Sequence, residues 1–185
     1  LLLPSLVFTQ KLNYKKLRSE VQNRSYFDSA SLFSKGEEAI IVARSEGKPE
    51  LEAEVLIYYG NHFYYKGEPE KARGYYKKAN KTALEYKNSK FKNLSRIRLT
   101  YLDWDGGNEK DSKAAFNKIL TEAKTRKEYV NQIECYNALA LIEERHLRYE
   151  NTMAYYLKGL KIAEEHNEEH YIAVLLNNIG LLKLN

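Results

Sequence analysis

A repeat period of about 40 residues is the sequence feature that most limits the fold of this 185-residue chain. Positions related by that period form columns of similar residues, and many columns share one register. The clearest are Ala43, Ala83, Ala123 and Ala163; Tyr76, Phe116 and Tyr156; Tyr59, Leu99, Leu139 and Ile179; and Gly60, Thr100, Ala140 and Gly180. Repeats of this length are typical of arrays in which each unit buries its apolar face against its neighbours.

Each 40-residue unit contains two runs of helical spacing. In the second repeat, residues 49–88, Leu56, Tyr59 and Phe63 lie on one face of a helix, and Tyr76 belongs to the next run. Gly67 lies between the runs and suits a left-handed helix end. The chain has only 9 Gly and 3 Pro, too few for the tight turns of an all-β protein. We therefore predict an all-α fold, an α-solenoid of stacked antiparallel helix pairs, with about four pairs and a final helix.

The same register sets the predicted domain organisation. We expect a single solenoid domain over residues 11–185, with units at roughly 11–48, 49–88, 89–128, 129–168 and an incomplete 169–185. Residues 1–10 are an apolar run followed by small and polar residues. They have two interpretations, the remnant of a signal peptide or a hydrophobic strap on the first helices. The last run stops inside a helical pattern, which predicts that the natural protein continues beyond Asn185.

The repeat resembles that of tetratricopeptide repeat (TPR) proteins. The family pattern of a large residue, Leu-Gly and an aromatic, then Ala and an aromatic four later, is matched by Leu56, Tyr59-Gly60, Phe63, and then by Ala72 and Tyr76. The resemblance covers roughly residues 11–185 and implies a right-handed superhelix that binds protein or peptide segments without catalysis. Two departures are a unit longer than the family's usual length of about 34 residues and the absence of the usual late Pro.

The resemblance also implies where a ligand binds. In such proteins the first helix of each pair lines a concave groove, and in the kinesin-light-chain and peptide-pheromone-receptor types Asn side chains hold an extended backbone. Asn has both a donor and an acceptor for that task. The alternative is that these Asn residues pair between helices and that the aromatic residues belong to the core. The candidate groove residues are Asn61, Tyr64, Tyr101, Trp104, Asn137, Leu141, Arg145 and Asn177.

Several functions remain open at this stage. The long units and the truncated end resemble the sensor halves of bacterial TPR-containing signalling or transcription regulators. That resemblance implies a protein or peptide partner, and it slightly favours an exported segment over a cytoplasmic one. The alternative is a stand-alone cytoplasmic scaffold, and a homodimer is a further option. No cofactor or metal is predicted, because the chain has one cysteine and four histidines and lacks nucleotide-binding glycine motifs.

Three other classes of function find little support. Residues 166–170 fit H-x-x-E-H, which makes a metallo-hydrolase using His166 and His170 a remote alternative, but the motif falls on a predicted boundary between units. The net charge is +5, and the basic stretch from Lys87 to Arg98 is interpreted as a solvated helix boundary rather than a nucleic-acid surface. No apolar run is long enough to span a bilayer.

Overall fold

The computed structural model describes residues 14–24 and 29–182, with side chains from 14–22 and 29–182. The interpretations of residues 1–10 and of a continuation beyond Asn185 lie outside these ranges. The described residues form helices and turns and contain no strand, which confirms the all-α prediction. The helices are α1 (Tyr14–Arg24), α2 (Ser29–Ser45), α3 (Glu52–Tyr65, after a 3₁₀ turn at Pro49–Leu51), α4 (Pro69–Glu85), α5 (Ser89–Asp105), α6 (Glu109–Thr125), α7 (Tyr129–Arg145), α8 (Tyr149–Glu165) and α9 (Glu169–Leu182).

The helices fall into two compact units, one ending at Lys87 and the other beginning at Asn88. In the first, α1 packs on α2, α3 packs on α4, and α3 also contacts α1 and α2. In the second, α5 to α9 each pack on the next helix in the chain, and α5 also lies beside α7. Consecutive helices therefore form neighbouring pairs within each unit, as the predicted α-solenoid requires.

The backbone repeats at half of the sequence period, one helix and one turn at a time. Turns of three residues separate α4 to α9, and the middle residue of each turn has a left-handed φ. After α3 the N–H of Glu68 donates to the carbonyl of Phe63 at 2.9 Å, and the N–H of Gly67 donates to that of Tyr64 at 3.0 Å. This pair of bonds is a Schellman end, and it confirms the end cap expected of Gly67. It recurs at the turns centred on Gly47, Gly107, Lys127, Leu147 and Asn167.

Small residues lie where the two helices of a pair approach closely. A Cβ atom on Gly60 would lie 2.3 Å from Cε1 of Tyr76, so the tyrosine ring occupies the space that any other side chain at position 60 would need. Tyr76, Phe116 and Tyr156 are each at most 1% exposed. The contact between Gly60 and Tyr76 gives a packing reason for the recurrence of a small residue and an aromatic residue in the 40-residue columns.

Candidate functional site

The accessible part of α7 is a narrow stripe along one side. Asn137 and Leu141 are half-buried and Arg145 is exposed, whereas residues 131–136, 138–140 and 142–143 are buried. The three side chains are spaced by four residues and therefore lie above one another on one helix face. Because buried neighbours fix the backbone beneath them, these side chains project from a rigid support.

Two aromatic side chains of α5 complete this surface. The amide nitrogen of Asn137 donates to the hydroxyl of Tyr101 at 3.3 Å, and the guanidinium of Arg145 lies 4.0 Å from the ring centroid of Trp104. The Tyr101 and Trp104 centroids are 6.3 Å apart, and Leu141 packs against the same apolar cluster. Five of the eight predicted residues are thus brought together, and we call them the α5–α7 surface: Tyr101, Trp104, Asn137, Leu141 and Arg145.

Asn137 links three successive first helices of the pairs. Besides its bond to Tyr101, its carbonyl oxygen accepts from the amide of Asn178 in α9 at 3.0 Å. Pairing between helices, the alternative considered for these Asn residues, is therefore present at position 137. An amide has two N–H groups and two lone pairs, so Asn137 retains one of each for a further partner. Asn177 takes no part in these two hydrogen bonds and lies on an exposed face of α9.

A buried ion pair lies beside this chain of hydrogen bonds. Glu134 of α7 is 6% exposed and accepts from Nη1 of Arg98 at 2.8 Å and from the hydroxyl of Tyr171 at 2.8 Å. Burial opposes ionisation of Glu134, but the charge and hydrogen bonds of Arg98 and the bond from Tyr171 outweigh it and lower the pKa of the carboxyl. Burial, with the Glu134 charge adding to it, raises the pKa of Tyr101 well above its ordinary value, so its hydroxyl stays neutral at physiological pH.

The sequence reasoning missed this ion pair, although a signal for it exists. In the first unit, Arg18 of α1 contacts Glu54 of α3 at 2.7 Å. Arg18 precedes Arg98 by two 40-residue steps, and Glu54 precedes Glu134 by the same interval. The same separation of an Arg from a Glu thus recurs in register, which is the pattern expected of side chains that join neighbouring first helices of the pairs.

The two predicted residues of the first unit have different surroundings. The carbonyl oxygen of Asn61 accepts from the hydroxyl of Tyr76 at 2.9 Å, which is a contact within the α3–α4 pair. Tyr64 is half-buried, and its ring centroid lies 5.6 Å from that of Tyr65. Asn61 therefore helps to hold the buried aromatic ring of its own pair.

The H-x-x-E-H histidines lie on opposite sides of a turn. His166 ends α8, and its ring stacks on Tyr129 with centroids 3.4 Å apart. His170 lies in the first turn of α9, with its ring 5.3 Å from that of Tyr171. They do not share the continuous helix face that the motif needs. Over residues 14–22 and 29–182, no group of three His, Cys, Asp or Glu side chains is placed to hold a metal ion.

Cys135 and part of the basic stretch make contacts within the second unit. Cys135 is fully buried, and burial together with the neighbouring Glu134 charge raises the pKa of its thiol, which disfavours the thiolate. In the basic stretch, Arg96 contacts Glu122 at 2.7 Å and Lys92 contacts the same carboxylate at 3.7 Å. Most of the basic stretch lies within α5, and these two pairs join it to α6.

A cavity of about 190 Å³ opens near the first turn of α7, away from the α5–α7 surface. None of the eight predicted groove residues lines it. Its lining residues are Lys90, Lys127, Glu128, Tyr129, Val130, Asn131 and Glu168.

Two further findings are negative. None of the described helices combines the length and the apolar character needed to cross a membrane. Comparison with protein-family models and with curated protein sequences finds no match to this chain.

Proposed function

We propose that this chain is a non-enzymatic binding domain whose α5–α7 surface holds a peptide or an extended segment of a protein. One observation carries the proposal. The Arg145 guanidinium lies over the Trp104 ring, and the pair lies next to the hydrogen-bonded Asn137 and Tyr101. An amide, two aromatic rings and a cation are thus adjacent on a rigid helical support.

Each group on this surface matches a need of peptide recognition. The unused N–H and lone pair of Asn137 can pair with a backbone carbonyl and a backbone N–H. Leu141 is half-buried and can present an apolar edge to a ligand side chain, whereas Trp104 is 7% exposed and lies under the Arg145 guanidinium. The Arg145 guanidinium, which lies 4.0 Å from the Trp104 ring centroid, has five N–H donors with which to bind a carbonyl or carboxylate.

The wider role rests on the resemblance to TPR proteins. A sensing or partner-binding segment of a larger bacterial signalling or transcription-regulating protein uses such a surface to recognise its ligand. The alternative is a scaffold that only mediates assembly. A scaffold of that kind binds folded partners through large rigid faces, whereas a sensor groove binds short linear segments, and this difference separates the two.

The test uses the single tryptophan of the chain, Trp104, as an internal reporter. A library of random 12-residue peptides is selected on the full chain, and synthetic copies of the selected peptides are titrated while Trp104 emission is recorded. We expect a saturable change in emission. Because Leu141→Lys places a charge at the apolar edge, it should weaken binding at least tenfold, as should Arg145→Ala.

The matched control is Leu157→Lys, since Leu157 is a half-exposed leucine of α8 that lies outside the α5–α7 surface. It should leave affinity unchanged. Equal affinity of the selected peptides for Leu141→Lys and the parent chain would refute the assignment of the surface. Failure to select any peptide, together with capture of a folded partner that Leu141→Lys does not weaken, would favour the scaffold.

A further inference from the structure

The cavity of about 190 Å³ that Asn131 and its neighbours line at the start of α7 is called the α7 cavity below. Asn131 is 0% exposed. Its carbonyl oxygen is buried and accepts no hydrogen bond within the described ranges, 14–22 and 29–182. Nearly all buried polar atoms in folded proteins have a partner, and one explanation of an unpaired atom is a partner from outside the chain.

The residue at position 131 also departs from its repeat column. At steps of one repeat period, the described positions of this column are Leu51, Phe91, Asn131 and Tyr171. Phe91 is 3% exposed, and Leu51 and Tyr171 pack against buried apolar clusters. Packing at this position therefore favours a large apolar or aromatic side chain, whereas asparagine is smaller and polar. A smaller residue in a packed site leaves space, and the α7 cavity lies at that place.

Hydrogen bonds hold the polar part of the cavity wall in position. Nδ2 of Asn131 donates to the carbonyl of Lys90 and to the Glu128 carboxylate, each at 2.9 Å. The same carboxylate accepts from Nδ2 of Asn93 at 2.8 Å and from the hydroxyl of Ser89. The wall is therefore ordered without a ligand, which lowers the entropic cost of binding one.

The charge and the size of the cavity indicate the class of ligand. Lys90 and Lys127 bring ammonium groups to the wall, and Glu128 and Glu168 bring carboxylates. An engineered cavity of about 150 Å³ binds benzene, so a volume of about 190 Å³ suits an organic molecule of similar size. A free α-amino acid has this size and carries one ammonium and one carboxylate, which match the two signs of charge in the wall.

We propose that the α7 cavity binds a free α-amino acid with a small or medium-sized side chain. The ligand ammonium donates to the Glu168 carboxylate and to the unpaired carbonyl oxygen of Asn131, and the ligand carboxylate pairs with Lys127. Tyr129 and Val130 supply the apolar part of the wall for the ligand side chain. The site and the ligand differ from those of the proposed function, which concerns the α5–α7 surface.

Isothermal titration calorimetry of the full chain with each standard L-amino acid tests the proposal. We expect saturable binding of at least one amino acid with an aliphatic or hydroxyl side chain. Two derivatives of that amino acid then separate the contributions of its charges. The N-acetyl derivative lacks the ammonium and the amide derivative lacks the carboxylate, so each should bind at least tenfold more weakly.

Two variants locate the site. Asn131→Phe places the aromatic residue of the column in the cavity and should weaken binding at least tenfold. It should keep the parent circular dichroism spectrum, because the column accommodates Phe91 one repeat period earlier. Glu168→Gln removes a charge with little change of shape and should also weaken binding at least tenfold. Its matched control is Glu169→Gln, at an exposed residue outside the cavity wall, which should bind with parental affinity.

Several outcomes would overturn the proposal. One is the absence of saturable binding by any amino acid, which would leave water as the occupant of the cavity. Another is equal affinity of the parent chain and Glu168→Gln. Parental affinity for the amide derivative would show that the site recognises an ammonium alone, as at the N-terminus of a peptide. Loss of binding in Leu141→Lys but not in Asn131→Phe would assign the amino acid to the α5–α7 surface.

Discussion

Substitution of Gly60 by alanine tests the packing rule on which each helix pair depends. In the interior of a helix, Gly→Ala normally stabilises a protein by about 0.5–1 kcal/mol because it reduces the entropy of the unfolded chain. At position 60 the added Cβ atom would lie 2.3 Å from Cε1 and 2.5 Å from Cδ1 of Tyr76. The ring is 1% exposed, and its hydroxyl is bonded to Asn61 at 2.9 Å, so it cannot move aside freely.

The magnitude can be worked from these contacts. Overpacking of a buried site costs about 1–3 kcal/mol, and loss of the Tyr76 hydrogen bond adds about 1 kcal/mol. These costs exceed the gain in helix propensity, so we expect Gly60→Ala to lower the free energy of unfolding by about 1–3 kcal/mol. Gly74→Ala, where the Cβ atom meets nothing, should raise it by about 0.5–1 kcal/mol.

Urea unfolding followed by far-UV circular dichroism measures both variants, since Trp104 fluorescence reports on the other compact unit. A smaller side chain at position 76 should relieve the clash. The double variant Gly60→Ala/Tyr76→Leu should therefore lose at least about 1 kcal/mol less free energy of unfolding than the sum of the losses in the two single variants. A Gly60→Ala variant as stable as the parent chain, or a double variant without coupling, would refute the close packing of Tyr76 on Gly60.

Three further predictions concern the second unit. Leu147 is 69% exposed and has a left-handed φ of 57°, so Leu147→Gly should raise the free energy of unfolding by about 1 kcal/mol. Leu157→Gly, in the interior of α8, should lower the free energy of unfolding by about 1 kcal/mol. Equal effects of the two substitutions in urea unfolding would contradict this prediction. Glu134→Ala removes the carboxylate that pairs with the largely buried guanidinium of Arg98, and should lower the free energy of unfolding by about 3 kcal/mol in the same assay. A decrease below about 1 kcal/mol would show that the pair is not buried in solution. A hydrogen bond from Lys113, assisted by hydrogen bonds from Asn151 and Arg148, lowers the pKa of Glu143 to about 2, although burial acts to raise it. Because this folded-state pKa is depressed, the stabilisation is present above the unfolded pKa of about 4.3 and is lost as pH falls towards 2. The free energy of unfolding of the parent chain should therefore exceed that of Glu143→Gln by roughly 1–3 kcal/mol less at pH 2.5 than at about pH 6. A difference that does not change with pH would refute the lowered pKa of Glu143.

The helix pairs could be predicted from the sequence because burial imposes strict columns. The alanine column is fully buried, with 0% exposure at Ala43, Ala83, Ala123 and Ala163. Close packing at these positions therefore favours a small residue in every repeat. The turn at Gly67 was also predictable, since glycine is the usual residue at a left-handed helix end. The left-handed φ of Leu147 was not predictable, because the Schellman bonds and the flanking helices fix that φ against the preference of leucine.

The contacts of the candidate site were harder to predict. A shared column suggested that Asn137 and Asn177 act together, yet Asn137 bonds to Asn178. A column gives the position of a residue within its own helix, whereas the contact between neighbouring helices depends on their crossing and rotation, which a period does not encode. The ion pairs that Lys92 and Arg96 make with Glu122 are likewise absent from the repeat pattern, because Glu122 has no acidic counterpart one repeat period earlier.

The change of residue type within one column supports the placement of function on the first helices of the second unit. Ile57 and Ile97 are at most 1% exposed, whereas Asn137 is half-buried and Asn177 is exposed. The column thus changes from apolar to amide where it reaches solvent. Packing alone accounts for the isoleucines but does not require an amide in a helix interior, where asparagine is a weak helix former. The Asn137 bonds to Tyr101 and Asn178 explain part of that choice, and its remaining donor and acceptor explain the rest if they meet a ligand.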